Sequence, residues 1–255
     1  MQIQPQYALF EQWAALSQEE GLFYEVLEFY SPPSISDVEL HPTLEEWYRT
    51  SGRATSVHGA FIDVNPASGD PAFKELSRRR CRESCQLAKA LGAEHVVLHG
   101  SCFPFLRGVY LDSWVAQCAD FYTQLAEEYD LAIHIENSQD VDTTPLARLM
   151  QRIEDERVSV CLDIGHANYS LAPIEQWFDD LGEYIRYLHL SDNLGHFDDH
   201  LPIGAGAIDW AKTDALWRKL QRPTPMTLEV GGIPGVKKSL AFLREHDYFD
   251  LGSMM

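Results

Sequence analysis

Basic residues are scarce in this 255-residue chain: Lys and Arg total 20 against 39 Asp and Glu, a formal charge of −19 with histidine neutral. A nonspecific electrostatic grip on nucleic acid or on an anionic membrane needs the opposite balance, so both partners are disfavoured. Long apolar runs are lacking too. None approaches the roughly 20 residues that cross a bilayer, and the opening MQIQPQYALFEQW has neither the basic nor the apolar stretch of a secretory signal. The expectation is a soluble, cytoplasmic protein. Cysteine is sparse: the five (Cys81, Cys85, Cys102, Cys118 and Cys161) are odd in number and scattered, which argues against a disulfide framework and for a reducing compartment. Cys81 and Cys85, one helical turn apart, read as core or helix-surface thiols, because two thiolates alone do not make a metal site. No Gly/Ser/Pro linker, charge block or solenoid-length repeat interrupts the chain, so it reads as one domain over residues 1–255.

What is present suffices for a sizeable core. At 45% hydrophobic and 11% aromatic residues, the disordered and fibrous classes drop out. Short β-branched, apolar runs recur, each followed by a stretch of helical periodicity, the signature of βα units and a parallel sheet. The predicted strands are Ile3 to Tyr7 (weakly marked), Leu22 to Phe29, Ala54 to Ala60, His95 to His99, Leu131 to Glu136, Val158 to Asp163, Ile185 to Leu190 and Met226 to Val230. Helices are predicted near 9–20, 43–51, 72–92, 111–129, 144–155, 173–183, 209–220 and 236–246. Asp70-Pro71, Ala172-Pro173 and Thr143 or Thr144 before Pro145 mark helix starts. Eight strands close a barrel, so the predicted fold is α/β, a single-domain (β/α)8 TIM barrel, with an open doubly wound sheet as the alternative.

The informative pattern is where His, Asp and Glu fall. His58 ends SVHG, His99 ends VVLHG, Glu136 ends IHIEN, Asp163 and His166 sit in CLDIGHAN, His189 in YLHLSDN and Glu229 in TLEVGG. Each lies at or just beyond the C-terminal end of a predicted strand, and Asp198 and His200 in FDDHLPIG follow the seventh. In a barrel these ends converge on one face. Nine groups of metal-ligand type in one basin are hard to explain as packing, since buried carboxylates need a cation or hydrogen-bond donors to compensate them. Oxygen and imidazole donors without thiolate suit zinc, manganese, iron or cobalt.

The combination LDIGHAN, HLSDN, DDHLPIGAGAIDW and LEV, spread over nearly the whole chain, resembles the xylose isomerase-like TIM barrels, which include endonuclease IV and many sugar isomerases and epimerases. The isomerase and epimerase branch implies one divalent ion, zinc or manganese, held by Glu136, Asp163, His189 and Glu229, with His166 reaching the substrate. The endonuclease IV branch implies a larger set, and all nine positions match: His58, His99, Glu136, Asp163, His166, His189, Asp198, His200 and Glu229. That set implies room for up to three ions, Glu136 bridging.

The first branch needs carboxylates that move a proton on and off carbon, a task for Glu136 and Glu229 with His166. The second needs a metal-activated water beside a phosphoryl group. The expected function is a metal-dependent isomerase or epimerase of a small sugar or sugar phosphate, in sugar metabolism; the alternative is an endonuclease IV-like phosphoester hydrolase. An oligomer is compatible with either. Three cations are expected on the active face, Arg107, Lys237 and Lys238, and the loop SPPSISDVELHP adds none. One departure from the epimerase branch stands out: where a second Glu is usual after the fifth strand, ENSQDVD offers Asp140 or Asp142. The glycines of GAGAID read as turn formers rather than a phosphate cradle. Trp114 and Trp177 read as packing residues, Phe103, Phe105 and Tyr169 as either packing or a sugar-binding wall, and His134 as a hydrogen-bonded core residue below Glu136.

Overall fold

The structure, a computed structural model, describes residues 1–30 and 41–252, with the His41 side chain left aside. The cation-free loop SPPSISDVELHP falls for the most part outside the described residues.

Eight parallel strands close into a barrel in sequence order: β1 (Gln2–Ile3), β2 (Phe23–Val26), β3 (Ala54–His58), β4 (His95–His99), β5 (Ala132–Glu136), β6 (Val158–Asp163), β7 (Ile185–Leu190) and β8 (Met226–Leu228). β1 pairs with both β2 and β8 and so closes the ring. Among the described residues the α-helices are α1 (Phe10–Glu20), α2 (His41–Ser51), α3 (Pro71–Leu91), α4 (Gly108–Tyr129), α5 (Thr144–Met150), α6 (Ile164–Tyr169), α7 (Ile174–Leu181), α8 (Trp210–Arg218) and α9 (Gly232–Glu245). The predicted (β/α)8 barrel is therefore the observed fold.

Strand alternation sorts the side chains. Ile3, Tyr24, Val57, Val96, Leu98, Ile133, Ile135, Val160, Leu162, Leu188 and Leu228 are buried and join the helices in the main apolar core. The other parity faces the barrel axis and is largely polar: Gln2, Glu25, Ser56, His58, His134, Glu136, Ser159, Asp163, His189 and Thr227 are all buried. Val97, Cys161 and Tyr187 form a small separate apolar cluster among them. Barrel interiors are usually filled by Val, Ile and Leu, so this interior holds its shape by hydrogen bonds: His134 bridges Ser159 (2.7 Å) and His95 (2.9 Å), and Tyr187 meets Ser56 (2.8 Å). His134 is thus the hydrogen-bonded core residue expected.

Two register shifts set the parity. Tyr24 pairs with Ala54 but Glu25 with Ser56, leaving Thr55 as an extra residue; Val160 pairs with Ile185 but Cys161 with Tyr187, leaving Arg186 extra and exposed. Bulges of this kind re-aim the side chains that follow.

Helix starts follow the expected chemistry with one exception. The Asp70 carboxylate caps α3, accepting from Ala72 N (2.9 Å) and Phe73 N (3.0 Å). Thr143 precedes α5 but gives no side-chain cap; its hydroxyl turns to Asp180, and Asp142 accepts from Thr144 N instead (2.9 Å). α6 was not foreseen. It begins directly at the end of β6, with Asp163 as its N-cap. Trp114, Trp177, Cys81 and Cys85 are buried packing residues.

Candidate metal centre

Asp163 shows how the strand ends build the site. Its Oδ1 accepts from His166 N (2.6 Å) and starts α6, which leaves Oδ2 turned into the barrel. Asn137, just beyond β5, clamps the adjacent strand ends by accepting from Asp163 N (2.7 Å) and donating to Asp163 O (3.0 Å). Glu136 is thereby fixed beside Asp163, and both are buried.

Four donor atoms, one each from Glu136, Asp163, His189 and Glu229, lie within 4.8 Å of one another, and a second group of three comprises His58, Glu136 and His189. Both Glu136 oxygens, Asp163 Oδ2 and His189 Nδ1 are buried without a hydrogen-bond partner. Orphaned carboxylate oxygens facing an imidazole nitrogen are what a divalent cation would satisfy, and without one they would be costly. The residues present fit such an ion. All the donors are oxygen or nitrogen, in keeping with zinc or manganese.

The outer histidines are oriented from behind. The Nδ1 atoms of His58, His166 and His200 face the carbonyls of Gly59 (3.0 Å), Asn137 (2.7 Å) and Glu229 (2.7 Å); this turns the His58 Nε2 inward, whereas His166 keeps its Nδ1 3.2 Å from Glu136 Oε1. Nε2 of His58 and of His99 stand 3.3 and 3.4 Å from Glu136 Oε2. The Nε2 atoms of His166 (3.2 Å) and His200 (3.0 Å) share Asp198 Oδ2. All nine predicted residues therefore meet at one end of the barrel, Asp198 and His200 half-exposed on the rim, His99 partly exposed and the others buried.

Burial and neighbouring charges push the groups of the cluster in opposite directions. Burial alone would raise the Glu136 carboxyl, but the imidazoles of His99, His189 and His166 hold it well below the usual carboxylate range. Burial pushes Asp163 up to about 7, with Glu229 and Glu136 adding to the rise. His99 is driven down to about 3 by burial, whereas the hydrogen bond to Asp198 raises His200 to about 9.

Above the cluster open two cavities of about 500 and 520 Å³, with Phe61 lining both. The first is bounded by Asn65, Phe73, His99, Phe103, Ser138 and Tyr169. The second is bounded by Gln4, Leu27, Glu28, Tyr30, His200 and Glu229. Phe61 stacks on His99 at 4.7 Å and on Tyr30 at 5.2 Å. Of the aromatics flagged in the sequence, Phe103 and Tyr169 line a cavity, whereas Phe105 lines neither.

The three expected cations are not among the lining residues. Arg107 is tied to Asp142 at 3.2 Å, and Lys237 and Lys238 are exposed on α9. Gly204 is the turn former expected, and Gly206 serves close packing. Gly204 adopts φ +82°, and a Cβ on Gly206 would lie 2.3 Å from Asp192 Oδ1.

Two participants went unnoticed in the sequence, Glu25 and Gln4. Glu25 is fully buried, with Oε2 3.2 Å from His189 Nε2. Gln4 donates through one amide nitrogen to Glu25 (2.8 Å) and to Glu229. A lone Glu inside the apolar run LFYEVL was the available signal for the first; a neutral amide beside a two-residue strand offered none.

Residues 22–246 match the family described as the Xylose isomerase-like TIM barrel. The chain belongs to that family. Among its relatives, the protein MJ1311 of Methanocaldococcus jannaschii is 29% identical over 202 residues, 74% of this chain and 69% of that one. A protein of Akkermansia muciniphila named Probable endonuclease 4 is 25% identical over 224 residues, 79% of this chain and 80% of that one. A solved D-tagatose 3-epimerase-like protein superposes with a TM-score of 0.72 at 25% identity, covering 88% and 87% of the two chains. Relatives of this xylose isomerase-like chain thus bear both epimerase and endonuclease names.

Proposed function

We propose that this protein is a divalent-metal-dependent epimerase or isomerase of a small, unphosphorylated sugar. The observation that carries the reading is the meeting of Glu136 and Glu229, from β5 and the end of β8, in one donor set with Asp163 and His189, beneath cavities lined by aromatic and uncharged polar groups together with carboxylates and histidines. No Lys or Arg is among the lining residues, and residues 31–40 contain neither.

A bound zinc or manganese ion would polarise a sugar carbonyl and its neighbouring hydroxyl, acidifying the hydrogen on the carbon between. Glu136 and Glu229 approach from different sides of the barrel, so one carboxylate can take the proton from carbon and the other return one to the opposite face. His166, on the wall of the first cavity, is placed to donate to a substrate oxygen. Phe61, Phe103 and Tyr169 offer apolar faces to the C–H side of a sugar ring or chain.

A second reading, an endonuclease IV-like phosphoester hydrolase, is favoured by the further donor group of His58, Glu136 and His189 and by the relative named Probable endonuclease 4. The missing cations weigh against it. The test is incubation of the metal-loaded protein with free ketoses and aldoses in D2O. Deuterium incorporation at a carbon next to the carbonyl, lost in Glu229→Gln, is expected; no exchange with any sugar, together with cleavage of an abasic duplex, would overturn the proposal.

A further inference from the structure

Glu25 belongs to neither donor group, yet its carboxylate sits directly behind one. It is fully buried and accepts hydrogen bonds from Tyr187 Oη (2.7 Å), Gln4 Nε2 (2.8 Å) and Thr227 Oγ1 (3.2 Å). His189 Nε2 stands 3.2 Å from its Oε2. Four donors on two oxygens satisfy an ionised carboxylate far from water. On the other side of the same imidazole, Nδ1 has no hydrogen-bond partner and faces Glu229 Oε1 (3.3 Å), Glu136 Oε2 (3.5 Å) and Asp163 Oδ2 (3.9 Å).

We infer that Glu25 is a positioning residue for the metal centre: it holds the Nε2 proton of His189, so that the Nδ1 lone pair points at the ion. The carboxylate–histidine–metal relay makes the imidazole a stronger donor and fixes its ring plane. The register shift on β7 serves this contact, because the extra residue Arg186 brings Tyr187 and His189 onto the inner parity, where they face Glu25. Gln4 extends the arrangement by linking Glu25 to Glu229, itself in the donor group, through a single amide. The simpler alternative is that Glu25 only ties β1, β2, β7 and β8 together.

The inference rests on the metal-site part of the proposed function and not on the sugar reaction. Glu25→Gln keeps the shape and removes the charge; the dissociation constant for Zn2+ or Mn2+, read by competition with a chelator, should rise 10- to 100-fold with near-UV circular dichroism unchanged. Thr227→Val removes a donor to Glu25 while leaving the Glu25–His189 contact in place and should change that constant by less than about threefold. A folded Glu25→Gln protein that binds metal as tightly as the wild type overturns the inference, as does a loss in Thr227→Val equal to that in Glu25→Gln. Should Glu25→Gln fail to fold, the zinc-loaded wild type decides by 15N NMR of His189: a protonated Nε2 with the ion on Nδ1 is expected, and the reverse arrangement refutes the relay. A wild-type protein that binds metal but exchanges no sugar proton fails the reaction alone and leaves this inference standing.

Discussion

His58 Nε2 lies 3.3 Å from Glu136 Oε2, with the His58 ring held from behind by the Gly59 carbonyl. A single-ion epimerase has no use for that contact, since Glu136, Asp163, His189 and Glu229 already complete one donor group. If His58 and His99 serve a second ion, replacing both with Ala should lower zinc or manganese content by about one ion per chain while the inner site stays filled. Elemental analysis checks this. The same metal content in wild type and double variant would assign the two histidines to electrostatic support of Glu136.

Glu136→Gln and Glu229→Gln both retain side-chain volume and remove one charge from the inner donor group. Each should lose the inner ion, and turnover should fall by a factor on the order of 10²–10⁴, the scale of a lost acid–base group. The fold should survive, because the two residues stand at strand ends outside the apolar core. Unchanged metal content in Glu136→Gln would remove it from the site.

How much of this was legible in the sequence follows from the kind of signal each residue carries. Strands β4 to β7 announce themselves by apolar runs ending in His, Glu, Asp or Leu, so their ends could be read directly, whereas β3 reads on to Ala60 but ends at His58. β1 reads longer, Ile3 to Tyr7, than the two residues observed, because the barrel needs only a short pairing between β2 and β8 there. β2 reads through to Phe29 but ends at Val26, so Glu25 sits one residue from the end of the strand. α6 was missed because its start depends on Asp163 serving at once as N-cap and donor, a double role that periodicity does not display. The active-face placement of Lys237 and Lys238 failed for a similar reason: α9 begins at Gly232, before the predicted start at 236, and carries both lysines out on its exposed side.

Asp140 has an enclosed carboxyl whose Oδ1 has no hydrogen-bond partner, and burial raises it from 3.8 to about 7. Between those values the folded protein holds a proton that the unfolded chain releases, so stability is full below about pH 4 and is lost as pH rises through about 7. Asp140→Asn removes that loss. In metal-free protein its melting temperature should match the wild type at pH 4 and exceed it at pH 8, by a stability difference on the order of a few kcal/mol. A gap between the two that does not widen with pH would show that the carboxyl is not held protonated.

The loop carrying Asp198 and His200 is folded around Asp192, which is fully buried and accepts from Gly204 N (2.9 Å), Ile208 N (3.2 Å) and Trp210 Nε1 (2.9 Å). Gly206 packs on this carboxylate so closely that a Cβ would also come within 2.4 Å of Asn193 O. Gly206→Ala should therefore cost roughly 1–3 kcal/mol and displace His200 relative to Glu229. Denaturant midpoints read the first effect and a raised KM the second; an unperturbed midpoint would mean that the loop yields freely.

The nature of the substrate turns on charge. Binding duplex DNA requires several Lys or Arg on phosphates, and affinity then falls steeply with salt. Here the chain carries −19 overall, and Arg107, the nearest of the expected cations in sequence to the rim residue Phe103, is spent on Asp142. A sugar phosphate would place a dianion beside Asp198, Glu28 and Asp63 on the cavity walls, with no guanidinium or ammonium among the described lining residues to meet it. A free sugar should accordingly be turned over with a kcat/KM at least about tenfold above that of its phosphate, the scale of one unfavourable charge contact of about 1.4 kcal/mol. The comparison is made with the same ketose in both forms at one ionic strength. A preference for the phosphate, or metal-dependent cleavage of an abasic duplex abolished by Glu136→Gln, would reverse the assignment and favour phosphoester chemistry.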